Sequence, residues 1–447
     1  MDLIESARKL IAIDSTPGQG NRRMAECAAE LCRSLGLHVE FQEEITGGLE
    51  QANLLVRPHA RRADLEFLLQ THLDTPDPGP FGLWTKTDAN PFDAHIIENR
   101  IYGLGAADTK LDFLCKMMAM AAFKETTLQM PPVLVGTFGE ESGMTGALKL
   151  IRKNKVSTKL ALIGEPTNLQ IFTAGKGFAS VEIVLDFEDD EKKFRIEHNL
   201  HENTSTQSRL FHGKSAHSSV PHEGENAIKK MFEYLLQLPE DLVVMEIDGG
   251  VNPNTVAAQA FLEVDPVSGF RLPMAKKLGV IYRAVLELEA VFKQYADPRF
   301  NPPEATLNLG LVRTSEDQVV LTGNCRMPPN ISTETYESWM EKLKKVCESV
   351  NGVFRVHDYK KPYQTDEGSV FVRVAQDELG AMGLASSLGT QSSTNEASLF
   401  SRVGIQCLSF GPGEREGNIH TPNESVAVED LRKAIEFYSR MIKRFSV

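Results

Sequence analysis

Residues 65–74 form an apolar run that ends in a histidine and an aspartate. The run reads Leu-Glu-Phe-Leu-Leu-Gln-Thr-His-Leu-Asp. Such runs are typical of strands that are buried on both faces, as in parallel sheets flanked by helices. In open α/β sheets ligands gather at the carboxyl ends of the strands, which is where His72 stands. Asp74 projects to the same side of an extended segment, so it or its neighbours can support the imidazole.

Two later apolar runs, at 133–138 and 160–163, are also predicted strands that lead into acids. The acids that follow them are Glu140, Glu141 and Glu165. Helices are predicted between the strands at 112–125 and 145–154, and Asp108 stands near the start of the first of these helices. Strands that alternate with helices predict an α/β fold with a doubly wound, mostly parallel sheet. Three strands would then deliver acids or a histidine to one rim.

The pattern changes in the middle of the chain. Residues 178–188 partly alternate between apolar and polar, which is typical of an antiparallel strand with one solvated face. Charged sequence of low hydrophobicity follows to about residue 207. Further helices are predicted at 225–237, 272–294 and 333–350, and further strands at 241–248, 255–264, 306–313 and 318–326. The sequence therefore predicts one sheet domain, formed by 1–176 and 363–447, that is interrupted by an inserted α+β domain at 177–362.

Charge and hydropathy exclude several classes of protein. The chain of 447 residues has a formal net charge of -13. This argues against nucleic acid and anionic membrane surfaces as partners, because both favour a basic patch. The N-terminus has no basic region followed by an apolar core, and no apolar run reaches the roughly 18 residues of a membrane helix. A soluble, cytoplasmic protein is therefore predicted.

Seven residues at the predicted rim are candidates to bind or support metal ions. They are His72, Asp74, Asp108, Glu140, Glu141, Glu165 and His420, the last in the loop after a predicted strand at 405–410. Imidazole and carboxylate ligands without thiolate suit Zn²⁺, Mn²⁺ or Co²⁺ at an open catalytic site. Asp108 would bridge two ions. His72 with Glu165 would complete the ligands of one ion, and the other ion would take the remaining pair, Glu141 and His420. Two ions lower the pKa of a shared water and hold the carbonyl oxygen under attack.

Glu140 and Glu141 are adjacent, so their side chains point in different directions in extended backbone. Glu141 can therefore bind metal while Glu140 faces the water and takes its proton. Each rim residue also has an ordinary explanation by itself, such as a helix cap, an acid at a helix N-terminus or an exposed loop position. The prediction of a metal site depends on their convergence at strand ends of one sheet.

Six motifs carry a resemblance to a known family. They are Thr71-His-Leu-Asp-Thr75, Tyr102-Gly-Leu-Gly-Ala-Ala-Asp-Thr-Lys110, Gly139-Glu-Glu-Ser-Gly143, Gly164-Glu-Pro-Thr167, Gly213-Lys-Ser-Ala-His-Ser-Ser-Val-Pro221 with Glu225-Asn-Ala227, and Ile419-His-Thr-Pro-Asn-Glu424. In this order and spacing, over nearly the whole chain, they resemble the metallopeptidase family of acetylornithine deacetylase, succinyl-diaminopimelate desuccinylase, aminoacylase and related dipeptidases. The metal ligands that this resemblance implies are His72, Asp108, Glu141, Glu165 and His420. It also implies that Glu140 is the general base and that Asp74 orients a metal ligand.

The resemblance implies that the inserted domain is a lid over the metal ions. Its histidine, His217, would donate to the oxyanion of the tetrahedral intermediate. Arg326 stands where family members carry a lid arginine that binds a substrate carboxylate, a task that suits a planar guanidinium. Asn252 and Asn254 are further candidates for the same pocket. Without the family, His217 reads as a surface loop residue and Arg326 as an exposed charge at a strand end.

The chain departs from the family in two respects. Where relatives often have arginine and glycine, this chain has Leu104 and Leu111-Asp112. These differences do not affect the predicted metal ligands, but they concern the packing of the local loop. The inserted domain is larger than the single-unit lid of the dimeric deacylases. In size it resembles the enlarged lid of monomeric dipeptidases, in which a second copy of the lid unit takes the place of a partner subunit. Residues 254–264 and 317–326, each a strand entered after a polar turn, support such a duplication. A monomer with a duplicated lid and a homodimer are therefore the two alternatives.

The leading hypothesis is a metal-dependent amidohydrolase that cleaves the amide bond of a small substrate, an N-acyl amino acid. Its cofactors would be two divalent ions, Zn²⁺ first and Co²⁺ or Mn²⁺ as alternatives, which activate a water with Glu140 as base. Motifs at 164–167, 395–397 and 410–413 favour an activity like that of acetylornithine deacetylase. The size of the lid favours the second hypothesis, a dipeptidase or aminopeptidase of the same chemistry. The third, a non-catalytic binding protein, would require the loss of a ligand or of the base, and the sequence retains both.

Overall fold

The protein consists of two compact units. The structure, a computed structural model, describes residues 1–60, 62–199, 207–266 and 269–447. The first unit contains Met1–Ala174, Tyr363–Thr390 and Asn395–Val447, and the second contains Gly175–Pro362 and Gln391–Thr394. The larger segment of the second unit is thus inserted between two segments of the first. That the first unit is catalytic and the second a lid stays a prediction.

The helices and strands follow one another in three stretches. The first comprises α1 (Leu3–Ile11), α2 (Arg22–Ser34), β1 (His38–Thr46), β2 (Leu49–Arg57), β3 (Glu66–His72), β4 (His95–Ile97), β5 (Arg100–Tyr102), α3 (Lys110–Ala121), β6 (Pro132–Thr137), α4 (Thr145–Arg152), β7 (Thr158–Gly164) and β8 (Ile171–Gly175). The second comprises β9 (Gly177–Asp186), α5 (Asp189–Glu197), β10 (Gln207–His212), α6 (Ala227–Leu235), β11 (Val243–Gly249), β12 (Gln259–Asp265), α7 (Met274–Phe292), β13 (Thr306–Thr314), β14 (Gln318–Met327), α8 (Thr333–Ser349) and β15 (Gly352–Lys360). The third comprises β16 (Tyr363–Gln364), α9 (Val370–Ala381), β17 (Leu388–Gln391), α10 (Ala397–Ser401), β18 (Gln406–Phe410), β19 (Ser425–Ala427) and α11 (Val428–Ser446). Among the described residues no helix combines the length and the apolar character needed to cross a membrane.

A nine-stranded sheet forms the centre of the first unit. Its order is β1-β2-β6-β3-β7-β18-β8-β16, with β17 beside β8. The four strands β6, β3, β7 and β18 run parallel to one another. Towards the margins β1 is antiparallel to β2, β2 to β6, and β8 to β18. The predicted α/β class is confirmed, and the parallel centre places the carboxyl ends of β3, β6 and β7 at one edge of the sheet.

Successive residues of the central strands pack on opposite faces of this sheet. Phe67 and Leu69 of β3 join an apolar core with α1, α2, α3, α9 and α11. Leu68, between them, packs on the other face with residues of α4 and α10. Every residue of β3 and of β6 is buried, and the centre of each strand is an apolar run, at 67–69 and 133–135. Helices cover both faces, so the sheet is doubly wound.

A small three-stranded sheet, β19-β5-β4, joins two segments that are far apart in the sequence. Its strand β19 is antiparallel to β5, with Ser425 opposite Tyr102. The segment after β5 leads to Asp108, and the segment before β19 carries His420. Pairing of these strands therefore brings two of the predicted metal ligands into the same region.

The second unit has a seven-stranded antiparallel sheet in the order β10-β12-β11-β13-β14-β9-β15. Ile228 of α6, Leu278 of α7 and Leu343 of α8 are buried in a core with one face of this sheet. The first residues of β9 alternate between buried and half-buried, as the sequence predicts for a strand with one covered face. The unit is an α+β domain.

A helix lies within a segment that the sequence analysis reads only as charged. This helix, α5, has three acids in its first turn and Arg195 in its last turn, which suits the helix dipole. The Arg195 guanidinium is buried and donates to two backbone carbonyls at β11 over 2.7 and 2.8 Å. Polar contacts therefore fix a helix that has little apolar surface. Residues 200–206 of the predicted charged segment lie outside the described residues.

Candidate active site

Five of the predicted rim residues come together at the carboxyl edge of the parallel strands. They are His72, Asp108, Glu140, Glu141 and His420, called the rim cluster below. The Asp108 carboxylate lies between two imidazoles, with Oδ1 3.1 Å from His72 Nε2 and Oδ2 3.2 Å from His420 Nε2. The same nitrogen of His420 lies 3.3 Å from Glu141 Oε1.

The ligand atoms of the rim cluster form two overlapping sets. Those of His72, Glu140 and Glu141 lie within 4.8 Å of one another, and so do those of Asp108, Glu141 and His420. Glu141 belongs to both sets. Glu140, the predicted base, lies in the set of His72, and the predicted ligand Glu165 is in neither set.

The backbone around Asp74 fixes the orientation of His72. His72 Nδ1 donates to the backbone carbonyl of Asp74 over 3.0 Å, so Nε2 is the nitrogen that faces the cluster. The Asp74 carboxylate is 3.7 Å from Nδ1 and instead accepts the backbone N–H groups of Glu140 and Glu141 over 3.2 and 3.1 Å. Asp74 therefore orients the histidine through its carbonyl, and its carboxylate holds the turn after β6.

Burial and crowded charges shift the pKa values in the rim cluster. Burial would raise the pKa of Asp108, but hydrogen bonds with His420 and His72 lower it well below its usual range. Burial would lower the pKa of each histidine, but the neighbouring carboxylates raise that of His420 to about 11 and that of His72 well above its usual value. Burial raises the pKa of Glu140 well above its usual value; His72 opposes this shift and the charge of Glu141 adds to it.

The donors of the rim cluster fit divalent metal ions. All are imidazole nitrogens or carboxylate oxygens, the ligands of Zn²⁺ in open catalytic sites and of related ions. Metal-binding histidines usually donate their second N–H to a carbonyl or carboxylate, as His72 does to Asp74. A cation bound among these atoms would displace the protons that the carboxylates attract to the imidazoles.

Glu165 is buried after β7 and interacts with a residue that the sequence analysis did not select. Its Oε2 lies 3.6 Å from Nη1 of Arg415, in the loop between β18 and β19. Burial and the charge of Asp108 raise the pKa of Glu165 to about 8, and the Arg415 charge opposes this shift. The Glu165 carboxylate is thus within electrostatic range of the rim cluster, although its role as a metal ligand stays a prediction.

The departure from the family at Leu111-Asp112 has a structural explanation. Both residues are buried, and the Asp112 carboxylate accepts from Thr71 Oγ1 over 2.6 Å and from the Tyr438 hydroxyl. Lys116 Nζ lies 2.7 Å from the same carboxylate. A β-carbon added to Gly164 would stand 2.1 Å from Asp112 Oδ2, so the glycine makes room for this network beneath the strand ends. Leu104, the other departure, is buried in the apolar interior.

The other predicted site residues belong to the second unit, where they lie close to one another. His217 is exposed, and its Nδ1 lies 2.7 Å from the hydroxyl of Ser219. Arg326 is buried, with its guanidinium 4.5 Å from the centre of the Phe178 ring and Nη2 3.5 Å from Ser218 Oγ. It is therefore not the exposed charge that the sequence alone suggests.

The two asparagines stabilise the turn beside this group. Asn252 accepts the backbone N–H of Asn254 with its side-chain oxygen over 2.8 Å. Asn254 accepts from Asn324 Nδ2 with its side chain over 3.1 Å, and its backbone carbonyl accepts the N–H of Ser218 over 2.9 Å. The second unit thus gathers His217, Asn254 and Arg326 around Ser218.

Two residues near the rim cluster were missed from the sequence. Glu424 accepts the backbone N–H groups of Ala107 and Asp108 over 2.8 and 2.9 Å. Glu424 is the last residue of the motif that contains His420, so the sequence motif could have identified it. Arg415 lies in the same loop outside any motif, and no feature of the sequence distinguishes it.

The sheet has a parallel centre, and imidazoles and carboxylates cluster at its carboxyl edge. This combination is typical of α/β metallohydrolases. A sequence model of Peptidase family M20/M25/M40 matches residues 68–444. The chain therefore belongs to this family and is a hydrolase that acts on amide bonds. The resemblance predicted from the six motifs is confirmed.

Individual relatives extend over almost the whole chain. The acetylornithine deacetylase of Pectobacterium carotovorum subsp. carotovorum (strain PC1) is 26% identical over 458 residues, which cover 99% of this chain and 97% of that relative. The aminoacylhistidine dipeptidase from Vibrio alginolyticus has a TM-score of 0.64 at 16% identity and covers 99% of this chain and 96% of its own. A dinuclear metal binding peptidase of the M20 family from Bacillus subtilis has a TM-score of 0.54 at 10% identity, with 98% and 96% covered. At these identities the solved structures show the fold alone.

Proposed function

We propose that this protein is a metal-dependent amidohydrolase that cleaves the amide bond of N-acyl amino acids. The observation that carries the proposal is the Asp108 carboxylate between His72 and His420, where it can bridge two cations. The acetylornithine deacetylases that match the full chain support an N-acyl amino acid as the small-molecule substrate. The products would be a carboxylic acid and a free amino acid.

Two divalent ions are the proposed cofactors, Zn²⁺ first and Co²⁺ or Mn²⁺ as alternatives. The residues that would hold them are His72, Asp108, Glu141, Glu165 and His420. When bound, the ions would lower the pKa of a water molecule and polarise the carbonyl under attack. The dinuclear peptidase of Bacillus subtilis, which shares the fold, supports the number of ions.

Glu140 is the proposed general base. Its carboxylate lies among the ligand atoms of His72 and Glu141, and the hydrogen bond from its backbone N–H to Asp74 fixes its position. It would take a proton from the attacking water and deliver it to the amide nitrogen as the C–N bond breaks. Both transfers need a carboxyl group that holds a proton between the two steps, and the raised pKa of Glu140 suits this.

His217 is the proposed donor to the oxyanion of the tetrahedral intermediate. The backbone N–H of Ser219 donates to His217 Nδ1 over 3.2 Å. A neutral ring therefore carries its proton on Nε2, which is the nitrogen that would donate to the oxyanion. Arg326, Asn252 and Asn254 stay candidates for substrate binding in the second unit.

The substitution Glu140→Ala tests the base. We expect metal-loaded Glu140→Ala to retain its ions and to cleave N-acetyl-L-ornithine about 10²–10⁴ times more slowly than the wild type. Glu125→Ala, which removes an exposed acid of the first unit, is the matched control and should leave turnover unchanged. Near-normal turnover of Glu140→Ala would remove Glu140 as base. If the metal-loaded wild type cleaves no N-acyl amino acid, the proposed deacylase activity is wrong.

A dipeptidase or aminopeptidase of the same chemistry is the second candidate. The fold shared with the Vibrio alginolyticus dipeptidase and the large second unit favour it. Such an enzyme must recognise a free α-amino group, so parallel assays on acetylated amino acids and free dipeptides separate the two activities. Metal analysis that finds less than one ion per chain would favour a non-catalytic binding protein instead.

The size of the second unit also bears on the oligomeric state. A monomer would support a duplicated lid with His217 acting in its own chain. A homodimer would support a His217 that acts across the subunit interface. Sedimentation equilibrium of the purified protein distinguishes the two.

A further inference from the structure

A buried glutamate that the proposed mechanism does not use lies on the face of the sheet to which His72 projects. Glu396 is 1% exposed and directly precedes α10, which packs on this face. Gln70 of β3 stands two residues before His72, so both side chains project to the same face. Thr137 ends β6 opposite His72 in the register of the two strands. Gln70 and Thr137 are fully buried, so all three polar side chains belong to the interior of the first unit.

One carboxyl oxygen of Glu396 joins two neighbouring strands. Its Oε2 accepts from the Thr137 hydroxyl over 2.8 Å and from Gln70 Nε2. Gln70 Nε2 also donates to the Thr137 hydroxyl over 2.9 Å. These three bonds connect the start of α10 to β3 two residues before His72, and to β6 three residues before Glu140. The triangle therefore lies directly below two members of the rim cluster.

The second oxygen of Glu396 and the oxygen of the Gln70 amide both lack a donor. Among the described residues no group hydrogen-bonds to Glu396 Oε1 or to Gln70 Oε1, although both atoms are buried. Two buried acceptors without a donor are costly, and an ionised carboxylate offers acceptors only. A proton on Glu396 Oε1 turns this atom into a donor, and the amide that already donates to Oε2 supplies the acceptor. An acid and a primary amide pair in this way through two hydrogen bonds, so one proton satisfies both oxygens.

The absence of a cationic partner also favours a neutral Glu396. Two other buried carboxylates of the same unit have one: Glu66 lies 2.6 Å from Arg57, and Asp112 lies 2.7 Å from Lys116. Among the described residues no lysine or arginine acts on Glu396, and burial raises its pKa to about 7. A buried carboxyl group without a cation usually takes up a proton, because an isolated charge is poorly solvated there.

The charged groups near Glu396 belong to the site above it. The charge of His72 and the hydrogen bonds from Thr137 and Gln70 lower the pKa of Glu396 and so oppose burial, whereas the charge of Asp74 raises it further. Glu140 is also within electrostatic range of Glu396. An ionised Glu396 would therefore add a negative charge below a cluster that already holds several carboxylates.

We propose that Glu396 is a positioning residue that carries a proton and forms an acid–amide pair with Gln70 below the rim cluster. The pair and its bond to Thr137 hold the ends of β3 and β6 in the register that brings His72 and Glu140 together, and they add no charge to the site. The positioning role rests on the proposed function. The proton does not, since it is a property of the folded protein without substrate.

Infrared difference spectroscopy detects the proton directly, because the C=O stretch of a protonated carboxyl group lies at higher frequency than the stretches of a carboxylate. At neutral pH and with Zn²⁺ present, this band should occur in the wild type and be lost in Glu396→Gln. Bands of other buried acids are common to both proteins and cancel. Gln70→Leu removes a donor to the Glu396 carbonyl oxygen and should shift the band to higher frequency. Glu429→Gln, a change at an exposed acid of α11, is the control and should leave the band in place.

Metal affinity and turnover test the positioning role. Glu396→Gln keeps one acceptor and one donor, so its Zn²⁺ affinity should fall less than about threefold. Glu396→Ala removes the link and should bind Zn²⁺ about tenfold more weakly, as expected when a group that orients ligands is lost. Its kcat on N-acetyl-L-ornithine should fall by a similar factor with KM unchanged, because the pair places the base and not the substrate. Thr137→Val, which keeps the shape and loses the hydroxyl, should fall between the wild type and Glu396→Ala in affinity and retain the infrared band.

Several results would overturn the inference. A difference spectrum without the band would show that Glu396 is ionised. An equal loss of Zn²⁺ affinity in Glu396→Gln and Glu396→Ala would show that the charge of Glu396 matters and the pair does not. Wild-type affinity and turnover in Glu396→Ala would show that the link positions nothing. If circular dichroism shows that Glu396→Ala does not fold, wild-type behaviour of Thr137→Val overturns the positioning role in its place.

The same experiments separate this inference from the proposed function. A wild type that binds Zn²⁺ and cleaves no N-acyl amino acid would reject the proposed function, yet the infrared band and the order of the metal affinities would still support Glu396 as proposed. Deacylase activity without the band would overturn the inference and leave the proposed function intact.

Discussion

The carboxylate of Glu424 accepts the backbone N–H of Asp108 over 2.9 Å. It also accepts the N–H of Ala107 over 2.8 Å, so one buried acid fixes the backbone of the residue that lies between the two imidazoles. Burial raises the pKa of Glu424 to about 7, and the charge of Asp108 adds to this shift. Glu424, near the end of the chain, thus positions Asp108, a predicted metal ligand from the first third of the chain.

Glu424→Ala should weaken metal binding by about 10–100-fold, the usual effect of losing a partner that orients a ligand. Glu424→Gln keeps one side-chain oxygen as acceptor and should lose less. Competition with a chromophoric chelator measures both dissociation constants. Glu429→Ala, which removes an exposed acid of α11, is the control and should bind metal as the wild type does. Unchanged affinity in Glu424→Ala would show that the backbone of Asp108 is held without it.

Metal binding should release protons and strengthen as pH rises. Carboxylates raise the pKa of His420 to about 11 and that of His72 well above its usual value, so both imidazoles carry extra protons at neutral pH in the metal-free protein. A cation must displace these protons, and it therefore competes better as pH rises. Calorimetric titration of the metal-free protein with Zn²⁺ in buffers of different ionisation enthalpy measures the release. His420→Ala should release fewer protons, and an affinity independent of pH would contradict this account.

The part of the fold that the sequence predicts well is the parallel centre. Strands β3 and β6 are buried throughout and β7 is buried over its last four residues, so each contains an apolar run that can be recognised. The polar residues at their ends converge because parallel strands end at the same edge. Partly exposed elements such as β15 lack this signal, since exposed, half-buried and buried residues are mixed along that strand.

Contacts between distant segments set the limit of prediction at the site. The motif of His420 includes Glu424, but only the fold shows that Glu424 meets the backbone before α3. Arg415 meets Glu165 because β18 lies beside β7 in the sheet. A single sequence does not give this order of strands. The position of Glu140 beside His72 depends likewise on the turn that Asp74 holds.

Glu191 should make the second unit less stable as pH rises. It is buried in α5, where it accepts the backbone N–H of Met274 over 3.1 Å, and burial raises its pKa to about 7. The folded state therefore binds the proton more tightly than the unfolded state, in which the pKa of this carboxyl is about 4.5. Its contribution is fully favourable below the unfolded pKa and declines as pH rises towards the folded pKa and beyond.

Glu191→Gln keeps the acceptor for Met274 and removes the titration. Urea unfolding at about pH 5 and about pH 8 should show the wild type losing stability relative to Glu191→Gln at the higher pH. Glu233→Gln, a change at an exposed acid of α6 in the same unit, is the control and should follow the wild type at both values. A constant difference between wild type and Glu191→Gln would show that Glu191 titrates normally in the folded protein.

Asp112→Ala should destabilise the first unit by about 3–5 kcal/mol, because it leaves the ammonium of Lys116 buried without its carboxylate partner. Lys116 also donates to the backbone carbonyl of Gln70 over 2.6 Å, and this bond alone does not neutralise the charge. Glu436→Ala breaks an exposed pair with Arg440 and should change stability little, because solvent screens this pair. Urea unfolding measures both changes. Asp112→Ala also removes the hydrogen bond from Thr71, the residue before His72. Metal affinity should therefore fall together with stability in Asp112→Ala, and neither should fall in Glu436→Ala. Equal effects of the two variants would mean that the buried network does not support the rim cluster.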